Sequence, residues 1–276
     1  MLTVSGRSAT AQAQNAALPD KSAYTLFNPT PRDSMRELNA DRPDKTDCPF
    51  TVDAGHFQIE MDFADLTYDA ANADRGKNII YRIAPLNAKI GLFNNIDFQL
   101  VFTTWQLEKT WSAVHDSVQQ HSGFSGITPR IKINLMGNDG GFFAIALIPF
   151  VTVPVTQSVG SGVEGGLGIP YAFDIPGWDV GLQATLYSEW NDALQKRQAE
   201  LSNSISIGHK IFGPISYSGE VYNSFTLQRG APSIWTADTW FTYQHDENLR
   251  IDGGVYIGLT PSADSWQPWI GMSWQR

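Results

Sequence analysis

The chain has 276 residues, a formal net charge of −9, 42% hydrophobic and 12% aromatic residues, and only 17% charged residues, against ~25% in an average globular domain. The acidic balance, without any run of Lys or Arg, excludes a phosphate-binding face, so nucleic acid is not an expected partner. A lone cysteine, Cys48, excludes an intrachain disulfide and a cysteine zinc cluster, and with no run of ~18 apolar residues no transmembrane helix is expected.

Residues 1–54 are rich in Asp, Pro, Asn and Ala and show no sustained period. They read as a flexible N-terminal periplasmic segment or the remnant of a signal. Ala9-Thr10-Ala11 and Ala11-Gln12-Ala13 resemble a cleavage region, although no apolar signal core precedes them. The segment hangs in the periplasm or folds up into a lumen as a plug; the sequence does not choose. Cys48 reads as a bystander within it.

From residue 55 onward, side chains alternate with period two, the mark of strands with one greasy and one polar face. The strands run, in order, His56–Leu66, Ile79–Leu92, Ile96–Leu107, Phe124–Leu135, Phe142–Val153, Glu164–Ile175, Trp178–Glu189, Glu200–Ile211, Ile215–Phe225, Trp235–Gln244 and two more within the closing stretch 249–276. In the first, Phe57, Ile59, Met61 and Phe63 oppose Gln58, Glu60 and Asp62. Trp190–Ala199 is the best helix candidate, and it is only loop-sized. The connections 93–95, 137–141, 176–177, 212–214 and 245–248 are tight and rich in Gly, Asn, Asp or Pro. Those between them are long, 108–123 above all. Alternating short and long connections describe an up-and-down barrel and not a Greek-key sandwich. Twelve residues at ~3.3 Å, tilted by ~40°, rise about 30 Å, the depth of a bilayer's hydrocarbon core.

The expected fold is therefore all-β: a single up-and-down antiparallel transmembrane β-barrel of about 12 strands over residues 55–276, with both termini at the short-turn rim. The greasy faces meet lipid, and Trp266 and Trp274 mark the two interfaces. The opposite faces aim Glu60, Asp62, Asp97, Arg130, Lys132, Glu220, Asp238, Arg250 and Asp252 into the lumen. These form either a constriction that selects by charge or a structural network that satisfies buried charge. The acids near Glu60 favour cations or neutral solutes.

ADRPDKTDCPFTVDAGHFQIE (40–60), AKIGLFNNIDFQLVF (88–102), IPFVTVPVT (148–156) and the closing 249–276 resemble the outer-membrane transporter family often labelled meta-pathway phenol-degradation proteins. The resemblance covers roughly residues 40–276. It implies a Gram-negative outer-membrane channel passing small molecules, hydrophobic or aromatic ones among them, and partnered by lipid, solutes and the barrel assembly machinery. Such barrels usually end on an aromatic residue, whereas this chain runs two residues past Trp274.

Catalysis has little support. Ser206 and His209 differ in parity and fall on opposite faces of one strand. His115 and His121 share a long loop without a third metal ligand, and the Gly-rich 160–168 opens no helix and reads as a loop needing positive φ. No enzyme activity, cofactor or metal is expected, and the oligomeric state is open. The alternatives are a soluble β-rich ligand-binding protein and a structural barrel without transport.

Overall fold

A computed structural model describes residues 20–70, 76–112, 114, 116–155, 162–191, 194–228 and 231–276. Thirteen strands follow one another: β1 (Phe57–Asp69), β2 (Lys77–Phe93), β3 (Ile96–Ser112), β4 (Ser117–Gly123), β5 (Ile127–Met136), β6 (Phe143–Thr152), β7 (Glu164–Ile175), β8 (Trp178–Asn191), β9 (Lys196–Phe212), β10 (Ile215–Thr226), β11 (Ile234–Gln244), β12 (Leu249–Gly258) and β13 (Trp266–Gln275). All pairs are antiparallel and join chain neighbours, except that β5 pairs with β3 past β4 and β13 returns to β1, so twelve close into a barrel with β4 as an extra strand. Both the fold class and the tight turns agree with the sequence pattern.

Three local readings need correction. The long connection at 108–123 is largely a hairpin: the second half of β3, Gln106–Ser112, pairs with β4, while Ile96–Phe102 pairs with β5. The helix candidate 190–199 is instead the tip of the β8–β9 hairpin, paired through Asn191 and Lys196, with residues 192 and 193 outside those described. Ten residues are too few for a helix without tertiary support, and the flanking ladder extends through them. In the Gly-rich stretch, Glu164–Gly168 belongs to β7, and residues 160 and 161 lie outside those described. Gly166 has ordinary strand backbone and serves close packing: a Cβ there would lie 2.6 Å from the Phe150 ring and 2.4 Å from the Leu186 carbonyl oxygen.

The barrel is inside-out relative to a soluble fold. Phe57, Ile83, Ile131, Leu186, Ile205, Phe241 and Ile270 are exposed on the outer wall, while Gln58, Glu60, Lys89, Asp97, Lys132, Glu220 and Asp252 are buried within. The alternation changes parity at one level of the wall, on β1, β2 and β3 together. A bulge between Asp62 and Ala64 shifts the β1–β13 register, so that Asp65 and Thr67, not Ala64 and Leu66, turn inward beyond it. On β2, Ala84 takes φ +49°, and Arg82 beyond it reaches Asp65 and Thr67, each at 2.9 Å.

Residues 20–54, for which the sequence left open a hanging segment or a lumen plug, lie against and inside the barrel. The stretch before residue 35 crosses the short-turn rim, where Leu26 N–H donates to the Leu92 carbonyl at 2.8 Å. The chain then enters the lumen at Arg36, climbs, and descends to Ala54, which bridges to Gly91 just before β1 starts. It is a re-entrant loop with both ends at the same rim.

Candidate functional site

The lumen is built on three levels, each pairing the loop with inward side chains. At the base, Lys21 donates to Asp53 at 3.1 Å and contacts Asp139 at 3.0 Å. Arg36 spans Asp53, Asp139 and the carbonyl oxygens of Thr51 and Asn94. Asp139 and Asn94 sit in tight turns, so this level fastens both legs of the loop to the rim. Asp97, wholly buried, accepts from Val52 N–H at 3.0 Å and from Gln99 at 2.9 Å.

At the middle, Asp41 receives Lys132, Lys89 at 2.7 Å and Arg130 at 2.9 Å. Burial alone would raise its carboxyl, but the ammoniums of Lys132 and Lys89 and the Arg130 guanidinium outweigh burial and hold it well below the usual carboxylate range. Lys132 also donates to the Cys48 carbonyl at 2.7 Å. Glu60 takes Lys89 and the backbone N–H groups of Asp41 and Arg42, each at 3.0 Å through its Oε2. Arg42 clamps Asp62 and Asp252, lies 5.4 Å over the Trp269 ring, and its carbonyl accepts from Arg250.

At the apex, Glu220 accepts from Lys45 N–H at 2.8 Å and from the Thr46 hydroxyl. Gln183 accepts from Asp47 N–H at 2.6 Å, and the Tyr256 hydroxyl donates to the Pro43 carbonyl. Asp238 faces the same space. All nine lumen candidates face inward; eight of them touch the loop directly, and Asp238 meets it through Glu220. Sequence reasoning missed their partners Asp41, Arg42 and Asp44 on the loop, and Lys89 on β2. The usable signal was the charge density of DRPDKTD at 41–47 beside strands whose inward charges lacked counterparts.

Between the apex and the long-loop rim the wall is aromatic and acidic. Phe150 packs edge-on against Tyr187 with centroids 5.5 Å apart, and Tyr222, Glu164, Glu189 and Glu200 share the inward faces of their strands. Trp266 and Trp274 both face outward at opposite ends of β13, with Trp266 tilted against Tyr68 at 5.7 Å. Beside the parity switch an apolar groove of about 660 Å³ runs along the wall, where outward Ile83, Trp105 and Ile270 meet inward Arg82 and Trp269. Ser206 faces in, whereas His209 lies outside against Trp178, its Nδ1 donating to the Gly177 carbonyl at 2.6 Å. His121 is in β4, and His115 lies outside the described residues.

A closed antiparallel barrel with an apolar exterior, a charged interior and alternating turns and loops defines the outer-membrane type of β-barrel. A family model matches residues 40–276, and the chain belongs to that family, whose description is "Putative MetA-pathway of phenol degradation". The matched region begins at Ala40, inside the re-entrant loop. Among solved structures the fold is similar to an outer membrane channel from Pseudomonas putida F1, at 10% identity, with 86% of this chain and 100% of that chain covered and a TM-score of 0.55. The CymD monoaromatic hydrocarbon channel follows at 9% identity, covering 80% of this chain and 87% of that one, with a TM-score of 0.45. The Salmonella typhi outer membrane phospholipase dimer follows at 12% identity, 86% and 95% coverage, and a TM-score of 0.43. The last two scores are too low to carry weight. No curated protein matches the sequence.

Proposed function

We propose that the protein is a channel of the cell outer membrane for small solutes, hydrophobic and aromatic ones included, and that residues 36–54 are its gate. The single observation behind this reading is the construction of the lumen. A wall of hydrogen-bonded strands encloses a polar interior, and that interior is filled by a loop held only through side-chain contacts and ion pairs. Nothing in the loop between Arg36 and Asp53 belongs to the barrel's own ladder, which it meets only at Ala54, so it can move while the wall stays intact. Phe150, Tyr187 and Tyr222 offer ring faces and hydroxyls to a phenol-like solute above the loop. The family membership points the same way. Lipid surrounds the outer wall, Trp266 and Trp274 anchor at its two interfaces, and the barrel assembly machinery inserts it.

In this reading Glu60, Asp62, Asp97, Arg130, Lys132, Arg250 and Asp252 seat the gate and do not form an open filter. Each is engaged with the loop or its immediate neighbours, which leaves the glutamates above to meet solute. An enzyme reading is weaker, because Ser206 and His209 stand on opposite faces of β9.

Planar-bilayer conductance and phenol entry into proteoliposomes test the proposal. Wild type should give low conductance, and Arg42→Ala, which releases Asp62 and Asp252, should raise both conductance and phenol flux. Folded wild type and folded Arg42→Ala that are equally silent in both assays would rule out a loop-gated channel.

A further inference from the structure

The apex of the loop meets an arrangement of carboxyls that the ion pairs below it do not explain. Glu220 and Asp238 are direct cross-strand partners on β10 and β11, facing the lumen at 4% and 6% exposure. Glu220 has two donors from the loop. No ordinary donor other than Glu220 reaches the buried oxygens of Asp238: the two carboxyls lie within hydrogen-bonding reach of each other, and the Glu220 backbone adds a second contact. Asp44 of the loop is the third carboxyl, near both.

The surroundings supply little positive charge. The charged and titratable groups facing the pair are Asp44 and Lys45 from the loop, Tyr256 from β12 and, further off, Asp62 from β1. The Lys45 ammonium lies 4.8 Å over the Tyr256 ring. The Tyr256 hydroxyl is committed to the Pro43 carbonyl. From β9 come only hydroxyls, Ser204 bonded to Thr46 at 2.6 Å and Ser206. Among the described residues no group of three His, Cys, Asp or Glu is placed to hold a metal ion. Lys45 is one cation against the three carboxyls of Asp44, Glu220 and Asp238; two adjacent buried carboxylates so weakly compensated repel strongly, and one shared proton relieves this.

We propose that Glu220 and Asp238 bind one proton between them and act as a catch for the loop apex, which lets go when that proton is lost to water. Loss of the proton leaves two carboxylates facing Asp44, and the stretch 43–47 is pushed from the wall. The base level keeps both legs attached, so the apex swings and the loop stays in the barrel. The proposal rests on the loop-gate reading. Asp44 agrees in sign: burial first, then Glu220 and Asp238, push its carboxyl well above the usual range. A carboxyl raised in this way stabilises the seated loop below its ordinary range, and that contribution is lost as pH rises through the seated value. The catch therefore opens toward alkaline pH.

Cys48, the single thiol of the chain, reports on the loop directly. Burial pushes it up to about 12, so it reacts slowly while seated. Maleimide labelling of wild type and Asp238→Asn is compared from about pH 6 to about pH 9, with the ratio at each pH cancelling thiol ionisation. The wild-type to variant ratio should start near one and climb roughly five- to thirtyfold, the response of a two-state equilibrium to a change of about 1–2 kcal/mol. Glu220→Gln should flatten the profile likewise and stands in if Asp238→Asn does not fold. A ratio that stays at one in folded protein overturns the catch. If Arg42→Ala then still raises conductance, the gate survives without the catch. If labelling climbs as expected but conductance never follows, the catch stands and the channel reading falls.

Discussion

Lys132 is wholly buried, and its ammonium has Asp41 and two loop carbonyls as partners. Removing its ammonium leaves Asp41 with Lys89 and Arg130 but takes the donor from two loop carbonyls, and each buried group left unsatisfied costs about 1–3 kcal/mol. Lys132→Met should therefore unseat the loop and speed Cys48 labelling, and adding Asp41→Asn should recover part of the loss; a double-mutant cycle on labelling rates measures this. The sign of the acid response follows from Asp41. Its carboxyl is held down in the seated loop, so its contribution is present above the ordinary value of ~3.9 and is lost as pH falls through the lower, seated value. Conductance should thus rise again under strong acid, opposite in direction to the apex catch, with the loop held best in between. A conductance that keeps falling to about pH 3 would contradict the seating role of Asp41. The inward direction of Arg130 and Lys132 was legible from strand parity alone. Their partner was not, because Asp41 lies 89 and 91 residues away in sequence and no local period links them.

At the scale of elements, what sequence shows best is period two sustained over ten residues and turns rich in Gly, Asn or Pro. Bulges are another matter. The shift between Asp62 and Ala64 carries no residue signature, so the faces of β1 beyond Phe63 could not be assigned correctly from alternation. The matching irregularity in β2 places Ala84 at φ +49°, a conformation that costs an L-residue with a Cβ about 1–2 kcal/mol. Ala84→Gly should therefore raise resistance to urea unfolding by about 1 kcal/mol, offset in part by greater freedom of the unfolded chain. Gly91, at the other end of β2, should behave in the opposite way. A Cβ there would lie 2.0 Å from the Asp53 carbonyl oxygen, so Gly91→Ala should displace the loop's descending leg. Cys48 labelling would increase while the barrel persists, and unchanged labelling would mean that the leg adapts without moving.

For the whole molecule, the wall and the loop are held by different forces. The wall closes through β13 and β1 by a continuous backbone ladder, with Gln58 to Asp62 opposite Gln275 to Gly271. The loop enters that ladder at no point between Arg36 and Asp53. Substitutions that free the loop should accordingly leave the faster migration of unboiled barrel on SDS gels untouched. The outer wall makes a separate demand. Trp266 and Trp274 stand at opposite ends of β13, whose ten residues, at ~3.3 Å each and tilted by ~40°, rise about 25 Å. Lipids brominated near the headgroup should quench both, and Trp266→Phe or Trp274→Phe should each remove part of that quenching. Trp269, on the inward face between Tyr256 and Arg42, should contribute none. If Trp269→Phe instead removes lipid quenching and the other two variants do not, the faces of β13 are reversed. A one-residue slip would then put Trp269 in lipid and Trp266 in the lumen.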